Sequence, residues 1–108
     1  MRRYGKEKWN IIEAFRRYAV ILPDGRRGSS DTETAAIDMT MEALTEDEKH
    51  AVLEVYMYAP KESITAEKVR YRVMRTAYSM YYSDSQVYRM LKHAREVYTE
   101  QLKIAETE

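Results

Sequence analysis

The chain has no cysteine among its 108 residues. That excludes a disulfide framework, a thiolate nucleophile and cysteine-ligated zinc. Glycine occurs three times and proline twice, while tryptophan and phenylalanine occur once each against ten tyrosines. The longest apolar run, Tyr18 to Leu22, falls far short of the roughly 20 residues that span a bilayer, so no membrane partner is expected. The basic N-terminus leads into no long apolar segment, so no signal peptide is read and the expected location is the cytoplasm. His50 and His93 fall in different predicted helices without a carboxylate set, which argues against a metal site. No nucleophile–base pair, phosphate-cradling glycine loop or carboxylate dyad is legible, so neither catalysis nor a cofactor is expected.

What is present is charge, and it is segregated. The formal net charge is zero. Residues 1–30 nevertheless hold eight Lys/Arg and three Asp/Glu, for +5, and residues 31–67 hold two and ten, for −8. Residues 68–108 hold eight and five, for +3, and between Lys68 and Arg95 there are seven basic residues and one acidic, Asp84. A neutral chain with such a block can still bind phosphate locally. The N-terminal cations Arg2, Arg3, Lys6, Lys8, Arg16 and Arg17 suit either a nucleic-acid arm or docking on the acidic middle segment. Docking is preferred, because opposite blocks in one small domain attract. The Gly25–Gly28 loop, GRRG, is a weaker phosphate candidate.

With few breakers, the apolar period stays near 3.6 almost throughout, which predicts an all-α domain over 1–108 with five helices. Residues 1–44 form an N-terminal helical pair and 45–108 a helix-turn-helix-like region. The first helix is expected from Tyr4 to Leu22, with Trp9, Ile12, Phe15, Ala19 and Leu22 inward and Pro23 as its stop. PDGRRGSS then reads as a mobile loop. Ser30 with Glu33 and Thr45 with Glu48 have capping-box spacing, in which each side chain satisfies a free first-turn N–H. The second helix should turn Ile37, Met41 and Leu44 inward, the third Val52, Leu53 and Tyr56. The acidic run Glu46 to Glu48 suits a helix N-terminus.

The fourth helix is expected from Thr65 to Met80, with Ala66, Val69, Val73, Ala77 and Met80 on one side. Lys68, Arg72, Arg75 and Ser79 form a separate line, while Arg70 points toward the apolar arc. Ser83 with Gln86 caps the fifth helix, whose inner face is Val87, Leu91, Ala94, Tyr98 and Leu102. Its outer face begins Ser85, Arg89, Lys92, flanked by Gln86, Tyr88 and His93. Two helices so joined suit a helix-turn-helix, in which the N-terminal residues of the second helix meet base edges in the major groove. Arg89 and Gln86 are types that pair with guanine and adenine edges, and Ser85, Tyr88 and Lys92 suit phosphates or bases. The Lys68/Arg72/Arg75 line would hold the backbone of double-stranded DNA. Tyr78 and Tyr81 are assigned to the apolar arc, and Tyr88 is the tyrosine expected to contact the ligand.

Ala43 to Met57, ALTEDEKHAVLEVYM, resembles the helix that precedes the helix-turn-helix in domain four of bacterial sigma factors, and Ile64 to Val69 resembles the start of the next helix. Tyr82 to Glu96, YSDSQVYRMLKHARE, resembles the recognition helix of the ArpU and RinA types of phage late-gene regulators, through Ser83, Val87, Tyr88, Arg89, Leu91, Lys92, Ala94 and Arg95. The resemblance covers about Ala43 to Leu102. It implies a phage-encoded transcriptional regulator with DNA, RNA polymerase and a second copy of the chain as partners. The sequence departs from the motif in two ways: Thr65 to Ser83 is eighteen residues where about eleven is usual, and the turn lacks glycine. A helical protein-interaction module, either a dimer or a phage inhibitor of a host protein, is the rival. Seven methionines and the acidic segment suit it. A DNA-binding phage packaging component is a third reading.

Overall fold

A computed structural model describes residues 3–107, and the chain there is all-helical. The helices are α1 (Arg3–Ala19), α2 (Asp31–Ala43), α3 (Glu46–Val55), α4 (Ala66–Met80) and α5 (Asp84–Thr107). Local chemistry sets most of the starts. Ser30 Oγ accepts the Glu33 N–H while the Glu33 carboxylate accepts the Ser30 N–H, and Thr45 with Glu48 repeats the arrangement. Ser83 and Gln86 do the same ahead of α5, at 3.2 and 2.8 Å. Each box satisfies two donors that helix geometry leaves free.

The longest helix, α5, packs most extensively against α2 and also against α3 and α4. Val87, Leu91, Ala94 and Tyr98 are buried on its inner face. Phe15 of α1 is fully buried, with ring centroids 5.9 Å from Tyr56 at the C-cap of α3 and 5.5 Å from Tyr98 of α5. One ring thus ties three helices together, and its burial contributes on the order of 2–3 kcal/mol. Ile12, Ile37, Val52, Val55 and Val73 complete the same core.

Several expectations need correction. Helix α1 stops at Ala19 rather than Leu22. Val20 and Leu22 instead join a short turn, through Gly28 N–H to Val20 O at 2.8 Å and Leu22 N–H to Arg26 O at 2.7 Å. The segment read as a mobile loop therefore carries its own backbone hydrogen bonds. Gly25 supplies a φ of +89°, and a Cβ on Gly28 would lie 2.9 Å from the Arg17 carbonyl. Leu53 is exposed, not inward. Arg70 is also exposed, because it lies about 100° from Val69 on the helical wheel, beyond the buried arc. Tyr78 and Tyr81 are 88% and 95% exposed, not core residues. Tyr78 stands about 180° from Val69, and Tyr81 falls past the helix end.

The long Thr65–Ser83 spacing is taken up as helix: α4 keeps fifteen residues. It ends at Tyr81, whose φ of 60° and ψ of 36° are left-handed. The Tyr82 N–H reaches back to the Ala77 carbonyl at 2.9 Å, so the last turn is closed and α5 begins after three residues.

Candidate nucleic-acid interface

The cations of the sequence divide into two sets. Arg16 and Arg72 are 3% and 5% exposed, and both converge on the connection after α3. Arg16 donates to the carbonyls of Tyr56 at 2.8 Å, Tyr58 at 3.1 Å, Ala59 at 2.6 Å and Glu62 at 2.6 Å. Arg72 donates to Val55 O at 3.2 Å and to the same Tyr58 O at 3.1 Å, and lies 3.6 Å from the Glu62 carboxylate. A planar guanidinium with five donors can serve several carbonyls at once; here they are those of Val55 and Tyr56 at the end of α3 and of Tyr58, Ala59 and Glu62 in the irregular connection. Ala59 holds a left-handed φ of 48° inside this clasp. Burial lowers the Arg16 pKa, the neighbouring Arg72 charge lowers it further, and Glu13 and Glu62 oppose both.

Arg72 therefore leaves the predicted backbone-holding line. It is the member closest to the apolar arc, about 60° from Val69, and the fold draws it inward. Lys68 stays exposed but donates to Ser63 O at 2.7 Å. Arg75 is half-exposed, 4.0 Å from Glu54 and 5.8 Å from the Tyr71 ring centroid. The α4 line thus faces acidic partners of its own chain.

N-terminal docking on the acidic segment is seen at Arg16 and at Arg17, whose guanidinium pairs with Glu33 at 2.6 Å. That contact raises the Arg17 pKa and lowers that of Glu33. Arg2 lies outside the described residues. In the GRRG loop, Arg26 pairs with Asp24 at 2.8 Å and Arg27 stacks 3.8 Å over the Tyr18 ring.

On α5 the outer residues Ser85, Gln86, Tyr88, Arg89, Lys92 and His93 are all exposed. Two of them are engaged within the fold. Gln86 gives its side-chain oxygen to the Ser83 N–H, leaving its amide nitrogen outward. His93 Nδ1 lies 2.7 Å from the Glu48 carboxylate, a partner the sequence did not reveal. Burial pushes Glu48 up, but the Thr45 N–H and the His93 ring outweigh it and hold the carboxyl below its usual value. Tyr82 donates to Asp47, fastening the α4–α5 turn to the first turn of α3.

Among the described residues, Arg89 and Lys92 have no ion pair and no side-chain hydrogen bond. They stand one helical turn apart on the outer face of α5. Lys92 continues into a mixed-charge groove shared with Glu7, Lys8 and Ile11 of α1 and with Arg95 and Glu96. Burial lowers the Lys8 pKa, and the Arg95 charge adds to this. Arg95 itself donates to the Tyr56 hydroxyl at 2.7 Å. The free positive charge of this face is thus concentrated at Arg89 and Lys92. No family model, no curated protein and no solved structure matches the chain.

Proposed function

We propose that the chain is a sequence-specific DNA-binding transcriptional regulator, phage-encoded and acting in the bacterial cytoplasm. It reads duplex DNA with the N-terminal half of α5 and assists RNA polymerase at a promoter. The observation that carries this reading is the pair Arg89 and Lys92, exposed on successive turns of α5 with no internal partner among the described residues. A three-residue connection between α4 and α5 supports it, since that is the length a helix-turn-helix uses.

Arg89 would take a guanine edge bidentately, while Ser85, Tyr88 and Lys92 would hold phosphates or neighbouring bases. Gln86 keeps its amide N–H for one contact while its oxygen caps the helix. The backbone-holding role passes from Arg72 to Lys92. The α3 acid Glu48 lines the same groove as Gln86, Arg89 and His93, and Asp47 holds Tyr82 beside it, so non-specific affinity is expected to be weak and salt-sensitive.

The test is selection from a random duplex library with the full chain. A common sequence should be enriched, and the enrichment should vanish for the Arg89→Glu, Lys92→Glu double variant. Failure of the wild-type chain to enrich any sequence would overturn the reading.

A further inference from the structure

The outer face of α4 carries a feature that neither the core nor the α5 reading uses. Tyr71, Met74, Tyr78 and Tyr81 follow one another at intervals of three and four residues, and are 60%, 51%, 88% and 95% exposed. That spacing places Tyr71, Met74 and Tyr78 in one strip along the helix, and Tyr81 follows in the left-handed turn just past its end. Arg70 and Arg75 flank the strip; Arg70 has no ion pair among the described residues, Arg75 lies 4.0 Å from Glu54, and Asp84 closes the lower end of the groove beside it. From Tyr71 to Tyr78 the strip runs about 10 Å at 1.5 Å per residue, and Tyr81 extends it beyond the helix end.

Tyr81 is the most telling member. It occupies a left-handed turn position with φ of 60°, where glycine is the default and a bulky side chain is strained. Its ring is 95% exposed, so no packing within the fold offsets that cost. The left-handed turn closes α4, but the fold makes no use of a tyrosine ring there, and a strained side chain without a packing role points to one outside the fold.

We infer that this strip is a stacking platform for unpaired nucleic-acid bases. The chemistry favours that occupant over a protein helix. The strip offers three phenol rings with polar tips and two flanking guanidiniums, which call for π faces joined to negative charge. Nucleobases on a phosphate backbone provide both, and stacking on tyrosine tolerates any base. Bases inside a duplex present no free face, so the ligand is single-stranded. The platform stands on α4 residues alone and does not depend on the α5 reading.

The experiment is anisotropy of fluorescein-labelled dT12, with a mixed-sequence duplex in parallel, against the full chain at low salt. Wild type should bind dT12. Tyr78→Ala with Tyr81→Ala should weaken that binding by roughly tenfold or more and leave duplex affinity unchanged. Tyr78→Phe with Tyr81→Phe should retain it, because the rings remain. Both residues are almost fully exposed, so helicity by circular dichroism should match wild type.

The inference is overturned if wild type does not bind dT12, if the alanine pair binds it as wild type does, or if the phenylalanine pair is as weak as the alanine pair. It is also overturned if light scattering finds a dimer that the alanine pair dissolves, since the strip is then a protein interface. Failure of the α5 reading has a separate signature: duplex affinity unmoved by Arg89→Glu with Lys92→Glu.

Discussion

Two pairs of cations sit on opposite sides of a division that charge counting does not see. Arg16 and Arg72 are buried around the α3–α4 connection and serve five carbonyls between them. Arg89 and Lys92 are exposed on α5 and serve none among the described residues. The tyrosines divide the same way: Tyr56 and Tyr98 lie in the core, while Tyr78 and Tyr81 are almost bare. One residue type thus does two kinds of work. In the interior, arginine replaces the backbone donors that an irregular connection cannot supply; on the surface it is free for an anionic ligand.

Arg16→Ala should have the largest effect. The Tyr56 and Glu62 carbonyls lose their side-chain donor, while Tyr58 O keeps Arg72 and Ala59 O keeps the Glu62 N–H; with the buried charge also removed, the expected loss is on the order of 3 kcal/mol. In a domain of this size that lowers the melting temperature by roughly 15 °C in a circular dichroism melt. A fall of only a degree or two would mean that water replaces the guanidinium without cost. Arg72→Ala should cost less, about 2 kcal/mol, because Tyr58 O keeps its bond from Arg16.

The tyrosines sharpen the same contrast through pH. Burial pushes the Tyr98 hydroxyl up to about 12, with Glu33 adding to the shift and Arg17 opposing it. The unfolded phenol ionises near about 10. Between those values the folded chain holds a proton that the unfolded chain has lost, so stability falls as pH rises from about 10 to 12. Tyr98→Phe should flatten part of that fall in melts taken from pH 8 to pH 12, and a decline as steep as wild type would argue against it. At the exposed end, Tyr81→Gly should stabilise the fold by about 1 kcal/mol by relieving the left-handed φ. No gain in chemical denaturation would mean that Tyr81 is not strained.

Much of the fold is legible because its signals are local. Ser30 with Glu33, Thr45 with Glu48 and Ser83 with Gln86 each sit three residues apart, and all three boxes form. The inner face of α5 likewise follows from periodicity alone. What sequence reasoning misses comes from distant partners. The Arg16 acceptors lie 40 to 46 residues away, and Glu48 lies 45 residues from His93. One signal is present in the sequence: Arg16 falls between Ile12 and Trp9 on the α1 wheel, a cation inside an apolar stripe. A charge in that position needs acceptors, and the chain end of α3 provides them. Tyr78 and Tyr81 need no distant partner to be placed: wheel geometry alone sets Tyr78 opposite the buried arc, and Tyr81 lies past the helix end.

The most direct test of the central claim is the salt dependence of duplex DNA affinity, by fluorescence anisotropy, for wild type and the Arg89→Glu, Lys92→Glu variant. If these outward cations form the interface, wild-type affinity falls steeply with salt. The variant then loses about two units of the log–log slope together with most of the affinity, while its melting temperature stays unchanged. Equal slopes and equal affinities for the two proteins would contradict it.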